Sequence, residues 1–321
     1  MRCLVTGGGG FIGHHLVKRL KRDGLYVVGA DLKLPEFEST LADEFMVLDL
    51  RQEKDCRKAV DGCEWVYHLA ADMGGIQYIS NYQAEIVRNN TRIDLNVLEA
   101  SKGLGVKRIL YTSSACVYPA YLQGDEHARA LKEEDAYPAM PEPGYGWEKL
   151  YAELMFQYFR EDYALDSRIV RFHNIFGELG TYDGGREKSP AAICRKVALA
   201  KDGDEIEIWG DGNQIRSYCY IDDCIDGILK IMNCDYPLPV NIGTDRAVTI
   251  NELVDIVSKI AGKTLKKRYD PTKPKGVRSR NADTTLIEKL VGWKASTSLE
   301  AGLERTYRWI EGELRKAGRI K

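Results

Sequence analysis

The sequence predicts an α/β chain: a doubly wound parallel sheet interleaved with a smaller mixed α/β lobe toward the carboxyl terminus. Three observations carry that prediction. Apolar runs of strand length alternate with amphipathic runs of helix length over the first half of the chain. The first strand, residues 2 to 6, opens into the turn Thr6-Gly7-Gly8-Gly9-Gly10-Phe11-Ile12-Gly13, and a helical pattern of Leu16, Val17 and Leu20 follows. The second strand, Tyr26 to Ala30, ends at an acid, Asp31, about 20 residues beyond the turn.

That turn has a physical reading. Gly7, Gly10 and Gly13 suit a tight turn, close backbone approach to a diphosphate and close packing of helix on strand, with Phe11 and Ile12 between them at the helix start. A carboxylate at Asp31 hydrogen-bonds a ribose 2′-hydroxyl and repels a 2′-phosphate. The pattern is therefore Rossmann-like and favours NAD over NADP.

The next elements extend the sheet. A third strand, Glu44 to Leu48, runs into Asp49-Leu50-Arg51, placed to hold an adenine. A fourth, Trp65 to Leu69, runs into Ala70-Ala71-Asp72-Met73-Gly74-Gly75, where small side chains let a cofactor pass close to the backbone. The amphipathic stretch from Gln83 to Lys102 offers Ile86, Ile93, Leu95, Val97 and Leu98 to a buried face, and Asn89 and Asn90 read at least as readily as solvated polar residues as functional ones. Strand five spans Arg108 to Ser113.

Composition excludes several function classes. At 321 residues, 44% apolar and 29% charged, the chain can build a large core and a second lobe. A net charge of −2 provides no broad basic surface for nucleic acid or anionic membrane. The start Met1-Arg2-Cys3-Leu4-Val5-Thr6 leads straight into a strand and no run reaches membrane-spanning length, so a soluble, cytoplasmic protein is expected. The 8 cysteines are scattered without CxxC pairs or zinc spacing; reduced thiols and no metal site are expected.

The chemistry gathers in two short runs. In Ser113-Ser114-Ala115-Cys116-Val117-Tyr118-Pro119, an extended chain would place Ser114 and Cys116 on one side. In Tyr145-Gly146-Trp147-Glu148-Lys149, a helix stacks Tyr145 and Lys149 on one face. A serine, a tyrosine and a lysine together can share a proton, since nearby Lys⁺ favours the phenolate and a hydroxyl steadies it. The thiol beside them is a base only if its pKa is lowered, and Lys149 and Lys188 are the candidate cations. Alone, Cys116 reads as a small core side chain and Lys188 as a solvated loop lysine.

TGGGGFIG, the HLAA run, SSACVYP and YGWEK together resemble the extended short-chain dehydrogenase/reductase family over nearly the whole chain. The resemblance implies a domain holding NAD and a lobe binding a nucleotide-sugar. It implies Ser114, Tyr145 and Lys149 as the catalytic triad. Leu69, Ala70 and Ala71, with Asp49, Leu50, Tyr145 and Lys149, join the cofactor contacts. LAADMGGI (69–76), SSACVYP, RFHNIFG (171–177) and GGREKSPAA (184–192) narrow the resemblance to the branch that acts on GDP-mannose at carbons 3 and 5. For that branch Cys116 and Lys188 are the expected acid–base pair, the first removing and the second returning protons. Met73, Gly74, Ser114, Ala115, Cys116, Asn174, Lys188, Gln214 and Ser217 are the expected substrate contacts.

The carboxyl-terminal part adds cations. Lys196, Arg216 and Arg278 are expected to converge on a nucleoside diphosphate, arginine binding it bidentately. A helix from Ala191 to Ala200, preceded by Pro190, would carry Lys196 across the site. Tyr218 to Asp223 is expected to return to the first domain as a strand, with a helix from Cys224 to Met232 behind it. His173 stays open between a core histidine satisfied by backbone and a residue of the site.

The dinucleotide domain is thus expected at 1–172 plus 218–243, and the nucleotide-sugar lobe at 173–217 plus 244–321. Helices near 83–102 and 145–162 resemble those of a four-helix dimer interface, so a homodimer is expected. A nucleotide-sugar 4-epimerase, needing neither thiol nor loop lysine, and a non-catalytic NAD-binding regulator stay open as alternatives.

Overall fold

A computed structural model of the protein describes residues 1–125, 128–273 and 276–321. The chain runs β1 (Arg2–Thr6), α1 (Phe11–Arg22), β2 (Tyr26–Asp31), β3 (Glu44–Val47), α2 (Glu53–Val60), β4 (Trp65–His68), α3 (Ile76–Asn81), α4 (Gln83–Gly103) and β5 (Arg108–Ser114). It continues with α5 (Tyr145–Tyr163), β6 (Asp166–Phe172), β7 (Ile175–Phe176), α6 (Ser189–Leu199), β8 (Glu205–Trp209), β9 (Ile215–Ser217), β10 (Cys219–Tyr220) and α7 (Ile221–Met232). Last come β11 (Val240–Ile242), β12 (Ala247–Thr249), α8 (Ile250–Ala261), β13 (Lys266–Asp270), β14 (Ser279–Arg280), α9 (Thr285–Val291) and α10 (Leu299–Lys316).

Seven strands form one sheet in the order β11-β6-β5-β4-β1-β2-β3, every pair parallel. Its central strands are buried on both faces, which is why Cys3-Leu4-Val5 and Ile109-Leu110-Tyr111 are continuous apolar runs. Helices α2, α4 and α5 cover one face, in a core with Leu4, Val66 and Ile109. Helices α1 and α7 cover the other, in a core that continues into α6, α8 and α10. Strand order reverses at β1 and β4, opening a crevice at their carboxyl ends.

Glycine makes that crevice possible. Gly7 stands at φ +71°, and a methyl on it would lie 2.9 Å from the Ala70 nitrogen. A methyl on Gly13 would overlap the Gly7 carbonyl, so helix, turn and the end of β4 are in backbone contact.

Several sequence expectations shift. Leu95 is exposed, because α4 presents it away from the sheet. Asn89 and Asn90 are buried rather than solvated. The helix carrying Lys196 starts at Ser189, with Pro190 in its first turn where a missing N–H costs nothing. The strand at 219–220 pairs with β7 in a separate ribbon and not with the large sheet, while α7 does pack on that sheet.

A buried ion pair ties the layers together. Arg171 on β6 donates from Nε and Nη2 to both oxygens of Glu153 on α5, at 2.8 and 2.7 Å, and Ser113 of β5 donates to the same carboxylate at 2.5 Å. Breaking it strands a charge in the core. Glu153→Ala should therefore destabilise the fold by about 3–5 kcal/mol, read as a lower urea midpoint at unchanged slope.

Candidate active site

The carboxyl end of β5 carries the first reactive groups. The strand ends at Ser114, and Ala115–Val117 turns at once into a short 3-10 helix capped by the Ser114 hydroxyl, which accepts from the Cys116 N–H at 3.2 Å. Ser114 and Cys116 are thus neighbours through this turn; strand alternation, the sequence-based reason, does not apply. Helix α5 then packs on the turn. A methyl on Gly146 would overlap the Cys116 carbonyl, so only glycine lets Tyr145 and Cys116 share one wall. Met73, Ile86, Cys116 and Tyr145 form a common cluster there, with Ala115 buried beside it.

Lys149 is buried and its Nζ lies 5.8 Å from the centre of the Tyr145 ring, donating to the Tyr111 hydroxyl at 2.9 Å. Burial holds the Tyr145 phenol well above its ordinary range, the thiol of Cys116 and then Glu148 adding to the effect and the Ser114 hydroxyl opposing it.

The thiol's surroundings differ from those expected. Arg280, reached across 164 positions, donates from Nη1 to the Cys116 sulfur at 3.4 Å and from Nη2 to Glu142 at 2.7 Å; its Nε donates to Gln123 at 2.6 Å. The cation in contact is therefore Arg280 and not Lys149. Burial pushes the thiol up to about 11, Glu142 adding and Arg280 opposing, so the expected lowering is not found. Sequence reading missed Arg280 and Glu142 as site residues. Glu142 lies three residues before Tyr145 and Arg280 two after Arg278, but their pairing is made only by folding.

Lys188 caps α6 at the end of a clamped loop. The Gly75 N–H donates to the Arg186 carbonyl at 3.1 Å, Arg186 stands 3.9 Å over the Tyr78 ring, and a methyl on Gly75 would lie 2.7 Å from the Glu187 carbonyl. Asp72 anchors the same corner, accepting from Tyr78 at 2.8 Å and from Asn89 at 2.9 Å. Lys188 is open to solvent, yet surrounding protein lowers its ammonium pKa from the ordinary value; the charge of Cys116 opposes that shift. Because its surface reaches water, the lowering is that of a group ringed by protein rather than sealed in it.

The other expected contacts are distributed. Gly74 is buried against Tyr78. Asn174, at φ +47°, donates to the Ser217 carbonyl at 2.9 Å and so ties β7 to β9. Ser217 is fully buried, its hydroxyl accepting from Ala282 N–H. Gln214 donates to the Trp209 carbonyl at 3.1 Å, while its buried Oε1 has no partner. Arg216 donates to the carbonyls of Ile215 and Val277, and burial brings its guanidinium down to about 10. Lys196 donates to the Glu207 carbonyl at 2.7 Å, 5.9 Å from the Trp209 ring, and Arg278 pairs with Asp211 at 2.9 Å. These cations surround β8 and β9, each already holding a protein acceptor.

On the dinucleotide side, Gly10 caps α1 with no side chain satisfying the helix N–H groups of Phe11 and Ile12, which leaves donors for a diphosphate. Asp31 accepts from Gly9 at 3.0 Å and burial raises its carboxyl above the ordinary range. The Thr6 hydroxyl accepts from both Leu69 and Ala70 at 3.1 Å, fixing the wall that continues into Ala71. Asp49 is spent on Arg51 at 2.8 Å, and the Leu50 side chain points into the core, so only backbone remains there for an adenine. The residues present fit NAD through the free helix N-terminus, the glycine cradle and Asp31. Among the described residues no group of side chains could hold a metal ion.

The model of the NAD dependent epimerase/dehydratase family matches residues 3–243. The chain belongs to that family. Its cofactor is NAD. Among similar family members, GDP-mannose 3,5-epimerase of Arabidopsis thaliana is 43% identical over 98% of this chain and 84% of its own length. The dTDP-4-dehydro-6-deoxy-D-allose reductase of a Streptomyces species is 31% identical over 95% of each. Among solved structures, UDP-glucose 4-epimerase of Thermotoga maritima with UDP-glucose superposes with a TM-score of 0.89 at 27% identity, covering 98% of this chain and 100% of that one. UDP-glucuronic acid 4-epimerase of Bacillus cereus, in complex with UDP-glucuronic acid and NAD, gives 0.83 at 26% identity over 98% and 100%.

The thiol's ionisation is directly measurable. Alkylation of Cys116 by iodoacetamide, followed by peptide mass mapping, should quicken about tenfold per pH unit toward a midpoint near 11. Glu142→Gln should speed it at any given pH, because a neighbour that opposes the thiolate is removed.

Proposed function

We propose that the protein epimerises GDP-mannose at carbons 3 and 5, giving GDP-L-galactose with GDP-L-gulose as the 5-epimer, through a transient ketone at carbon 4. The observation that carries this reading is the thiol of Cys116 packed with Tyr145 and capped by Ser114, with Lys188 near enough for the thiol's charge to act on its ammonium. The 43% identity to plant GDP-mannose 3,5-epimerases over nearly the full chain supports the same substrate.

Bound NAD supplies the hydride acceptor and donor at carbon 4. Tyr145 takes the proton of the 4-hydroxyl, with Ser114 steadying the oxygen and Lys149 countering the charge, and returns it at the end. The ketone makes the hydrogens on carbons 3 and 5 acidic enough for a side chain to remove. Inversion then requires an acid and a base on opposite faces of the ring. A thiol with a free amine, and a thiolate with an ammonium, hold the same number of protons. In either of those two states Cys116 and Lys188 comprise one acid and one base, and Arg280 steadies the thiolate form. Lys196, Arg216 and Arg278 supply the positive charge for the diphosphate, in the lobe formed by 173–217 and 244–321.

Turnover in deuterated water should place solvent deuterium at carbons 3 and 5 of the product, read by NMR. Cys116→Ala should abolish that exchange by at least about a hundredfold while leaving NAD binding intact. Absence of label at both carbons would favour the 4-epimerase alternative, which moves only hydride.

The working protein is a homodimer in this reading. Helix α5 presents Trp147, Tyr151 and Tyr158 outward, and the adjacent α4 presents Val87 and Leu95, an apolar surface that a second copy would cover. Tyr151→Asp combined with Leu95→Asp should convert a dimer into a monomer by analytical ultracentrifugation.

A further inference from the structure

Behind Tyr145 a chain of buried hydrogen bonds runs from the lysine of α5 to the cofactor wall, and the reaction above leaves it without a role. Lys149 Nζ donates to the Tyr111 hydroxyl at 2.9 Å, and Tyr111 in turn donates to Asp94 Oδ2 at 3.2 Å. Asp94 Oδ1 lies 2.9 Å from His68 Nε2, and His68 Nδ1 lies 2.7 Å from the Thr6 hydroxyl. Thr6 also accepts from the N–H groups of Leu69 and Ala70, at 3.1 Å each. The side chains in this chain come from β1, β4, α4, β5 and α5, and all of them are buried.

The hydrogens in it can be placed. A hydroxyl oxygen has two lone pairs, and Thr6 has given both to backbone N–H groups, so its own hydrogen goes to His68 Nδ1. His68 therefore carries its hydrogen on Nε2 and donates it to Asp94. From the other end an ammonium can only donate, so the Tyr111 oxygen accepts from Lys149 and the Tyr111 hydrogen goes to Asp94. Two arms converge on Asp94 and each of its oxygens receives a hydrogen, the pattern of an ionised carboxylate. Burial acts to raise the Asp94 carboxyl, but Lys149 and then His68 hold it below its ordinary range. Glu148, the other acid nearby, has its Oε1 4.0 Å from Lys149 Nζ and without a hydrogen-bond partner. Burial raises that carboxyl to about 8, Lys149 opposing, so near neutrality the anion opposite the ammonium is Asp94.

We propose that Asp94 is a positioning residue for the reaction: through Tyr111 it holds the Lys149 ammonium beneath Tyr145, and through His68 and Thr6 it ties that lysine to the Leu69–Ala70 wall of the dinucleotide site. A lysine stem is flexible, and an ammonium without a fixed acceptor samples several positions in a cleft. One hydrogen bond of fixed direction, backed by a buried anion, selects the position 5.8 Å from the centre of the Tyr145 ring. Tyr111 is itself held, because its ring stacks on Phe156 with centroids 4.4 Å apart. The lysine that favours the phenolate and the wall along which the cofactor passes are thus one hydrogen-bonded unit.

Tyr111→Phe removes one oxygen and keeps the stacked ring, so this variant should fold and bind NAD. It should lower kcat for GDP-mannose at least about tenfold with KM changed by less than about twofold. Asp94→Asn, which sets an N–H against one of the two incoming donors, should lower kcat as far or further. The double variant should lose no more than Asp94→Asn alone, because both changes act through the same ammonium. A readout independent of turnover is NMR of isotope-labelled lysine in the NAD-loaded protein, where Lys149, assigned by its absence from Lys149→Met, should give an ammonium signal in slow exchange with water. That signal should be lost in Tyr111→Phe. Wild-type kcat in Tyr111→Phe, losses that add in the double variant, or a Lys149 signal that survives in Tyr111→Phe would each overturn the proposal. The proposal rests on the reading above for its substrate; if the signal behaves as stated while the wild type fails to turn over GDP-mannose, that reading falls and the positioning role stands.

Discussion

Backbone contact between α5 and the turn after β5 is the constraint from which the rest of the site follows. Gly146 has no side chain, so the helix settles on the Cys116 carbonyl and brings Tyr145 to the thiol. One turn of helix beyond, Lys149 is carried into the space between β5 and α4. A larger residue at 146 would lift the helix, parting the tyrosine from both the thiol and the lysine's partners. The glycine turn at 7–13 imposes the same kind of contact on the cofactor side, where helix, strand and turn meet without side chains between them.

Charges near the cleft are arranged as buried pairs whose net charge is small. Arg280 lies between Glu142 and Cys116, Arg171 is clasped by Glu153, and Lys149 faces Asp94 and Glu148. In a poorly solvated interior an unmatched charge is expensive, so each proton that leaves a group must be accepted nearby. This suits a reaction in which hydride and proton are borrowed and returned, because the pocket's charge need not change over the cycle. It also explains why the isolated thiol stays protonated: the neighbouring carboxylate and burial together outweigh the arginine.

Much of the framework was legible in the sequence. The strands up to β5, the glycine turn and the Tyr145–Lys149 helix follow from local periodicity and steric demands, and these were placed within a residue or two, whereas Ile221–Asp223, expected in a strand, begin α7. Less legible were features whose sequence signal is ambiguous. Asn89 and Asn90 occupy helical positions that could face water or core, and only the position of Asp72 and Glu148 makes them interior partners. Leu95 satisfies the apolar pattern of α4 but lies outside the stripe that the sheet covers. Cys116 was assigned the right neighbourhood for the wrong geometric reason, because Val117-Tyr118-Pro119 carries strand-like residue types through a 3-10 turn.

The sequence by itself determined the sheet-and-helix order, the dinucleotide turn and the residue types available for chemistry. These depend on interactions between residues close in the chain, or on the side-chain period of a single element. Tertiary structure alone decided that the cation touching the thiol is Arg280 and that Asp49 and Ser217 are already occupied by protein. It likewise decided that Glu148 is buried with its carboxylate 4.0 Å from Lys149. Desolvation and charge pairing are sums over everything packed around a group, and that surrounding set exists only once distant segments have come together.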